Sequence, residues 1–174
     1  MIITISGEPG SGKSTVGRKL ARELEYSFIS IGQKIRRIAQ EMNKDILELM
    51  KDKQSFKKVQ EHIEQYLDSL SEKDNLVIDG RDAFYHLRDA LKVFLSVDDR
   101  VAAIRIFNDK REGKPPFANV EESLKALQER KKREQALYKN MHNIDIFNMK
   151  HYDIVIDTTH MSIEEVVAQL QHSL

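Results

Sequence analysis

The chain has 174 residues, and 28 lysine and arginine residues balance 28 aspartate and glutamate residues to a formal net charge of zero. This length suits one domain with a substantial core, and the charge balance disfavours a general nucleic-acid-binding protein. Cysteine is absent, which excludes disulfides and cysteine-ligated metals. The first residues lack the features of a secretory signal peptide. No apolar run has the length of about 20 residues that a helix needs to span a bilayer. We therefore expect a cytoplasmic protein with no membrane contact and no obligate protein partner.

The first predicted element is a short β-like run at residues 2–6, followed by a glycine-rich segment and an amphipathic helix. The segment GEPGSGKST matches the phosphate-loop pattern of glycine, four free positions, then Gly-Lys-Ser/Thr. Unpaired N–H groups and the helix dipole attract phosphate to such a helix start. We expect Lys13 to reach the β- and γ-phosphates of a nucleoside triphosphate and Ser14 to ligate Mg²⁺. The full predicted triphosphate-binding segment is Gly7, Glu8, Pro9, Gly10, Ser11, Gly12, Lys13, Ser14 and Thr15.

Four further β-like runs follow, at residues 27–30, 76–78, 92–96 and 153–156. Helical patterns separate them, and alternating strands and helices favour a parallel sheet covered on both faces. The predicted fold is therefore α/β with a five-stranded parallel sheet, and ligands are expected at the carboxyl ends of its strands.

The predicted helices after the second strand lie at residues 34–43 and along an apolar stripe from Phe56 to Leu70. After the fourth strand, a helix at 101–111 is broken by a glycine and two prolines at 113–116, and a long charged helix follows at 121–141. This polar excursion is predicted to be a mobile lid, with a solvated helical hairpin as the alternative. A final helix is predicted at 162–171.

Residues 79–82, Asp-Gly-Arg-Asp, directly follow the third predicted strand. An acid at this position beside a phosphate loop is expected to hold Mg²⁺, so Asp79 is the candidate. Arg81 lies on the loop that faces the ligand cleft, and its guanidinium suits a phosphate or a carboxylate. The alternative is a surface turn with a local arginine–aspartate pair.

Two more clusters carry candidate phosphate ligands. Ser30 ends the second strand and Arg36 follows on the next helix, where a capping serine and an exposed arginine are the alternative. Arg130 and Arg133 lie three residues apart on one helix face, and a lid arginine can neutralise charge on a transferring phosphoryl group. The neighbouring Lys131 and Lys132 fit a solvated face. Arg105 and Arg111, on the preceding helix, are further candidates for the triphosphate.

The chain resembles the archaeal type of cytidylate kinase over nearly its whole length. The resemblance rests on the opening MIITISGEPGSGKST, the segment SIGQKIR, the motif DGRD, the segments IRIFNDKREGK and ERKKRE, and the tail HYDIVIDTT. It implies a single P-loop kinase domain over residues 1–174, with acceptor-binding helices at roughly 32–72 and lid helices at roughly 105–140. It also implies transfer of the γ-phosphoryl group of Mg-ATP to the nucleoside monophosphate CMP or dCMP.

The resemblance also implies residue roles. Lys13, Arg81 and Arg130 are the implied catalytic residues, and Ser14 and Asp79 would hold Mg²⁺. The implied acceptor-binding residues are Ser30, Arg36 and Arg81, and we add Arg133 to them. Arg105 is assigned to ATP, and the turn at 157–159 would lie near the adenine.

Several positions depart from the family pattern. Gln33 stands where an acid is often found, Leu137 precedes Tyr138 where a basic residue often does, and the segment at 114–119 is longer. Kinases of another small acceptor, such as AMP, UMP or shikimate, and an ATP-dependent regulatory switch therefore stay as alternatives. The six histidines show no metal-ligand spacing along the chain, which argues against a catalytic zinc.

Overall fold

The five strands form one parallel sheet in a computed structural model, which describes residues 1–109 and 117–174. The strands are β1 (Ile2–Gly7), β2 (Ser27–Ser30), β3 (Leu76–Asp79), β4 (Leu91–Ser96) and β5 (Ile154–Asp157), in the order β2-β3-β1-β4-β5. All pairings are parallel. All five predicted strands are confirmed, with ends that differ by at most one residue. The central position of β1 places the phosphate loop between the ends of β3 and β4.

Eight α-helices connect and cover the strands within the described residues. They are α1 (Lys13–Glu23), α2 (Ile31–Glu41), α3 (Ile46–Lys51), α4 (Lys53–Ser69), α5 (Ala83–His86), α6 (Asp99–Asn108), α7 (Val120–His142) and α8 (Ile163–His172), with a 3₁₀ turn at Met149–His151. Helices α3 and α5 are absent from the predictions, because six and four residues are too few to show a helical period. Helix α2 begins three residues earlier than predicted, directly after Ser30, and α6 ends at Asn108. The predicted residues Arg111 and 113–116 lie outside the described part of the chain.

The sheet buries side chains on both faces, because successive residues of a strand point to opposite sides. On one face Ile3, Ile5, Val77 and Leu95 pack with α1 and α8. On the other face, Leu76 and Ile78 belong to a second core with residues of α2, α3 and α4. The predicted arrangement of helices on both faces is confirmed.

Helices α6 and α7 form a packed pair at the carboxyl end of β4. The Ser123 hydroxyl donates a hydrogen bond of 2.9 Å to the carbonyl of Ala103, and Leu127 packs with Ala102 and Val97. The pair matches the predicted helical excursion, and lid motion stays a prediction. Within residues 1–109 and 117–174, no helix has the length and hydropathy needed to cross a membrane.

Candidate active site

The loop after β1 follows a backbone path that glycine alone adopts easily. Gly7, Gly10 and Gly12 have φ values of 144°, 83° and 87°. A Cβ atom on Gly7 would lie 2.2 Å from the carbonyl oxygen of Leu95, so a side chain there would collide with β4. The amide of Glu8 donates a 3.0 Å hydrogen bond to the same oxygen and fixes the loop against β4. The glycines therefore set the shape that the pattern predicted.

The start of α1 offers its backbone N–H groups to a ligand. Gly12 is the N-terminal cap, no side chain caps the helix, and the first turn holds no acidic residue. Uncapped N–H groups and the positive end of the helix dipole together favour an anion.

Lys13 lies folded over the loop that it follows. Its Nζ donates hydrogen bonds of 2.8 Å and 2.7 Å to the carbonyls of Gly7 and Glu8. Burial and, after it, the neighbouring Arg81 lower the pKa of Lys13 to about 7. A phosphate close to Nζ would favour the charged form. The side chain thus lies over the phosphate loop, and its contact with a triphosphate stays a prediction.

Three oxygen-bearing side chains meet at the ends of β2 and β3. Ser14 Oγ donates to Asp79 Oδ2, and Ser30 Oγ donates to the same oxygen over 3.2 Å. Ser30 is the register partner of Asp79, so β2 and β3 end side by side. Asp79 is in turn the register partner of Ile5 in β1. Ser30 also accepts a hydrogen bond from the Gln33 amide, so it caps α2 as well as facing Asp79.

Arg81 and Arg130 converge on one carboxylate. Arg81 Nε lies 2.5 Å from Glu134 Oε2, and Arg130 Nε donates to Glu134 Oε1 over 2.9 Å. Burial alone would raise the pKa of Glu134, but Arg81 and then Arg130 lower it to about 2. Burial would likewise lower the pKa of Arg81, and Glu134 raises it above its ordinary value. Lys13 lies within the electrostatic range of all three groups.

Lys131 ties α7 to the phosphate loop. Its Nζ contacts Glu8 Oε1 over 2.6 Å and Asp99 Oδ1 over 2.7 Å. The other carboxylate oxygen of Glu8 accepts a 2.8 Å hydrogen bond from the Val97 amide. The interpretation of Lys131 as part of a solvated face is wrong, whereas Lys132 is exposed.

Arg105 lies beside the turn that follows β5. Its guanidinium donates to the carbonyls of Thr158 and Thr159 over 2.7 Å and 3.3 Å. Thr158 Oγ1 donates to the Ser11 carbonyl over 3.2 Å and joins this turn to the phosphate loop. A cavity of about 180 Å³ opens here, lined by Ser11, Gly12, Arg105, Thr158, Met161, Ser162, Ile163 and Val166. Arg105 thus borders a cavity that lies beside the phosphate loop. The same cavity adjoins the turn at 157–159, which the resemblance assigns to the adenine.

The remaining predicted ligands are less enclosed. Arg36 is exposed on α2, with its guanidinium close to Gly32. Arg133 is exposed on α7 and has no hydrogen bond or ion pair with the described residues. A larger cavity of about 770 Å³ extends from Ser14 to Gln33, between α1 and the start of α8; its lining residues are Ser14, Thr15, Arg18, Lys19, Arg22, Gln33, Asp109, Ile163 and Glu164.

Sequence reasoning gave no role in the site to Glu134 or Lys131, although both lie in the segment ERKKRE. Both face inward from a helix whose pattern is mostly charged, so nothing in the local sequence separates them from their exposed neighbours. Spacing was an available signal for Glu134 alone, because it lies four residues after Arg130 and such residues share a helix face.

The parallel sheet, the glycine-rich loop and the inward-facing cations define a P-loop kinase. A family profile described as the cytidylate kinase-like family matches residues 2–160, and the chain belongs to that family. The chain is 37% identical to a cytidylate kinase of Methanothrix thermoacetophila over 158 residues, 91% of this chain and 88% of that protein.

The chain is also similar to a longer protein of a different name and to a solved kinase structure. The chain is 33% identical over 166 residues to an S-adenosylmethionine-dependent nucleotide dehydratase of Lacinutrix mariniflava, covering 94% of this chain but only 34% of that protein. The structure of a shikimate kinase from Bacteroides thetaiotaomicron superposes with a TM-score of 0.68 at 20% identity, covering 99% of this chain and 97% of that one. At this identity the second similarity shows the fold alone.

Proposed function

We propose that this protein transfers the γ-phosphoryl group of Mg-ATP to CMP or dCMP, giving ADP and CDP or dCDP. The observation that carries the proposal is the convergence of Lys13, Arg81 and Arg130 beside the phosphate loop. Membership of the cytidylate kinase-like family supports it. The alternatives of another small acceptor or a regulatory switch become outcomes of the test below.

The phosphate loop and α1 form the proposed ATP site. The N–H groups at the start of α1 and the Lys13 ammonium would hold the β- and γ-phosphates. The cavity bordered by Arg105 and Thr158 is the proposed place for the adenine, since it lies directly beside Ser11 and Gly12.

Ser14 and Asp79 fit a magnesium ion by their chemistry. Their side-chain oxygens already meet in one hydrogen bond, and Asp79 is buried. Hydroxyl and carboxylate oxygens are hard donors of the kind that Mg²⁺ prefers. When bound, the ion would neutralise charge on the donor phosphates. The chain's own contribution is to fix both oxygens at the ends of β3 and α1.

Ser30, Arg36, Arg81 and Arg133 form the proposed acceptor site. The Glu134 carboxylate contacts Arg81 through an anionic oxygen, and an acceptor phosphate presents anionic oxygens of the same kind to a guanidinium. We infer that the phosphate would share or replace this contact, while Arg130 would act on the transferring group.

The proposed reaction forms a bond between an acceptor phosphate oxygen and Pγ of ATP and breaks the bond between Pγ and the bridging oxygen of ADP. The attacking oxygen is already anionic, so the enzyme needs no strong base. Its tasks are to align the two nucleotides, to screen their repulsion and to exclude water. Cationic side chains from three separate segments suit these tasks.

An acceptor panel tests the proposal. Mg-ATP is held fixed, CMP, dCMP, UMP, AMP and shikimate are supplied separately, and both ADP and the phosphorylated acceptor are measured. We expect the highest kcat/KM with CMP or dCMP. A highest value with AMP, UMP or shikimate would assign a different acceptor, and ADP release that is independent of every acceptor would indicate a regulatory switch.

A further inference from the structure

A second cluster of chemically active side chains lies away from Ser14 and Lys13. Among the described residues, Glu64 of α4, His86 at the end of α5 and His142 at the end of α7 bring one metal-ligating atom each within 4.8 Å of one another. His142 Nε2 lies 3.7 Å from Glu64 Oε1. The carboxylate of Asp82 lies beside both rings, with Oδ2 3.4 Å from His142 Nε2 and 3.7 Å from His86 Nε2.

The two imidazole nitrogens that face this centre are buried and lack hydrogen bonds. Each histidine side chain is 8% exposed, and Asp82 is 4% exposed. Nε2 of His86 and Nε2 of His142 have no hydrogen-bond partner among the described residues. Buried polar atoms nearly always have hydrogen bonds, whereas these two nitrogens have only the Asp82 carboxylate at ion-pair distance, so a ligand shared by both would satisfy them.

The opposite nitrogen of His86 has a partner. Nδ1 lies 3.2 Å from Asp68 Oδ1. If Nδ1 carries the proton and donates it to that carboxylate, Nε2 presents its lone pair to the centre. Metal-ligating histidines usually have such an outer partner, which fixes both the tautomer and the ring orientation.

Aromatic neighbours hold the two rings in place. Tyr85 stacks on His142 with ring centroids 4.7 Å apart and meets the edge of His86 at 5.3 Å. Tyr138 lies on the same helix as His142, with ring centroids 6.4 Å apart. The ligand geometry is therefore preorganised by packing.

The separations suit a small tetrahedral ion. With zinc–ligand bonds of about 2.0–2.1 Å, adjacent ligand atoms in a tetrahedron lie about 3.3 Å apart. Three of the six separations among these ligand atoms are 3.4 to 3.7 Å and need only a small contraction, and the ligand atoms of Glu64, His86 and His142 all lie within 4.8 Å of one another. Two imidazoles with carboxylates form a donor set typical of zinc sites, whereas magnesium and calcium prefer oxygen alone.

We propose that the protein binds one Zn²⁺ ion through His86 Nε2, His142 Nε2 and the Glu64 carboxylate, with Asp82 as the fourth ligand. The ion would link three parts of the chain: helix α4, the segment directly after Arg81, and the end of helix α7. Sequence spacing did not indicate this site, because its ligands come from three separate elements. Four protein ligands leave no open position, so the ion is a structural clamp between the acceptor-binding helices and the lid helix.

Zinc binding to tag-free protein tests the proposal. The protein is first treated with a chelator and then titrated with Zn²⁺ in the absence of nucleotides, which themselves bind zinc, with a chromophoric chelator as competitor. We expect about one tightly bound equivalent, and a Co²⁺-loaded sample with the intense visible absorption of tetrahedral coordination. His142→Gln and His86→Gln should each weaken zinc binding by at least about 100-fold. The matched control is His62→Gln, an exposed histidine on α4, and it should change nothing.

Two results would overturn the proposal. One is wild-type protein that binds no more zinc than the variant in which His86 and His142 are both changed to Gln. The two histidines would then serve only as partners of the neighbouring carboxylates. The other is an X-ray absorption spectrum of the wild-type zinc sample without imidazole ligands. The second measurement requires no variant, so misfolding of a variant cannot obscure it, and neither result depends on the acceptor panel.

Discussion

The phosphate loop and the inner face of α7 are built in opposite ways. The loop takes its shape from backbone angles at three glycines within one short segment, and a backbone hydrogen bond from Glu8 to Leu95 fixes it against β4. The inner face of α7 contributes side chains alone, and each reaches a residue far away in sequence: Glu134 contacts Arg81, and Lys131 contacts Glu8. The loop can therefore keep its form when α7 is altered, whereas the cation cluster exists only while α7 is docked.

The largest expected effect tests the loop by itself. Lys13→Met keeps the apolar part of the side chain but removes the ammonium that hydrogen-bonds Gly7 and Glu8. We expect kcat for phosphoryl transfer to fall by at least about 10³, since a fixed charge at the transferring group is lost. Steady-state ADP formation with CMP measures the change. Lys132→Ala, at an exposed position of α7, is the control, and unchanged turnover in Lys13→Met would remove the proposed chemistry.

The second prediction separates the two lid arginines. Arg130 contacts Glu134, whereas Arg133 has no partner among the described residues. If Arg130 acts on the transferring phosphoryl group, Arg130→Ala should lower kcat by about 10³, with a smaller change in the KM for CMP. Arg133→Ala should mainly raise the KM for CMP. A larger loss of kcat in Arg133→Ala would exchange the two roles.

The third prediction concerns the stability of the cation cluster. Glu134→Gln leaves the buried Arg81 without its counter-ion, and breaking a buried pair costs about 3–5 kcal/mol. A depression of the Glu134 pKa from 4.5 to about 2 corresponds to about 3 kcal/mol. Urea unfolding at neutral pH measures the loss of unfolding free energy. Glu129→Gln, at an exposed position on the same helix, should have almost no effect.

The pH dependence gives the same prediction a second measurement. Because the folded pKa of Glu134 is depressed, its contribution is complete above about 4.5 and is lost as the pH falls towards about 2. The stability difference between the wild type and Glu134→Gln should therefore shrink over this interval. A difference that stays constant from neutral pH to pH 2 would contradict the ion-pair account.

The contrast between the two regions also explains what the sequence could predict. Strands β1 to β5 and the loop from Gly7 to Ser14 were predictable, because their signals are local: apolar runs, glycine spacing and a following helix. Arg81 and Arg130 were predicted singly from their motifs, and the resemblance to cytidylate kinases supplied their roles.

Contacts between distant segments were not predictable in this way. Glu134 and Lys131 lie in a charged helix in which inward and outward residues look alike, and only packing against α6 and the loop separates them. The histidine cluster shows the same limit, since His86 and His142 meet across 56 positions of sequence only after α5 and α7 are docked.

The smallest expected effect tests the contact between the two regions. Lys131→Ala removes the bridge from α7 to Glu8 and Asp99, but Glu8 keeps its hydrogen bond to the Val97 amide. Because Lys131 is partly exposed, we expect a loss of about 1 kcal/mol in unfolding free energy and a few-fold rise in the KM for ATP. Lys132→Ala is the matched control, adjacent in sequence but turned to solvent. If both lysine variants behave alike, α7 does not support the phosphate loop, and the two regions act independently in ATP binding.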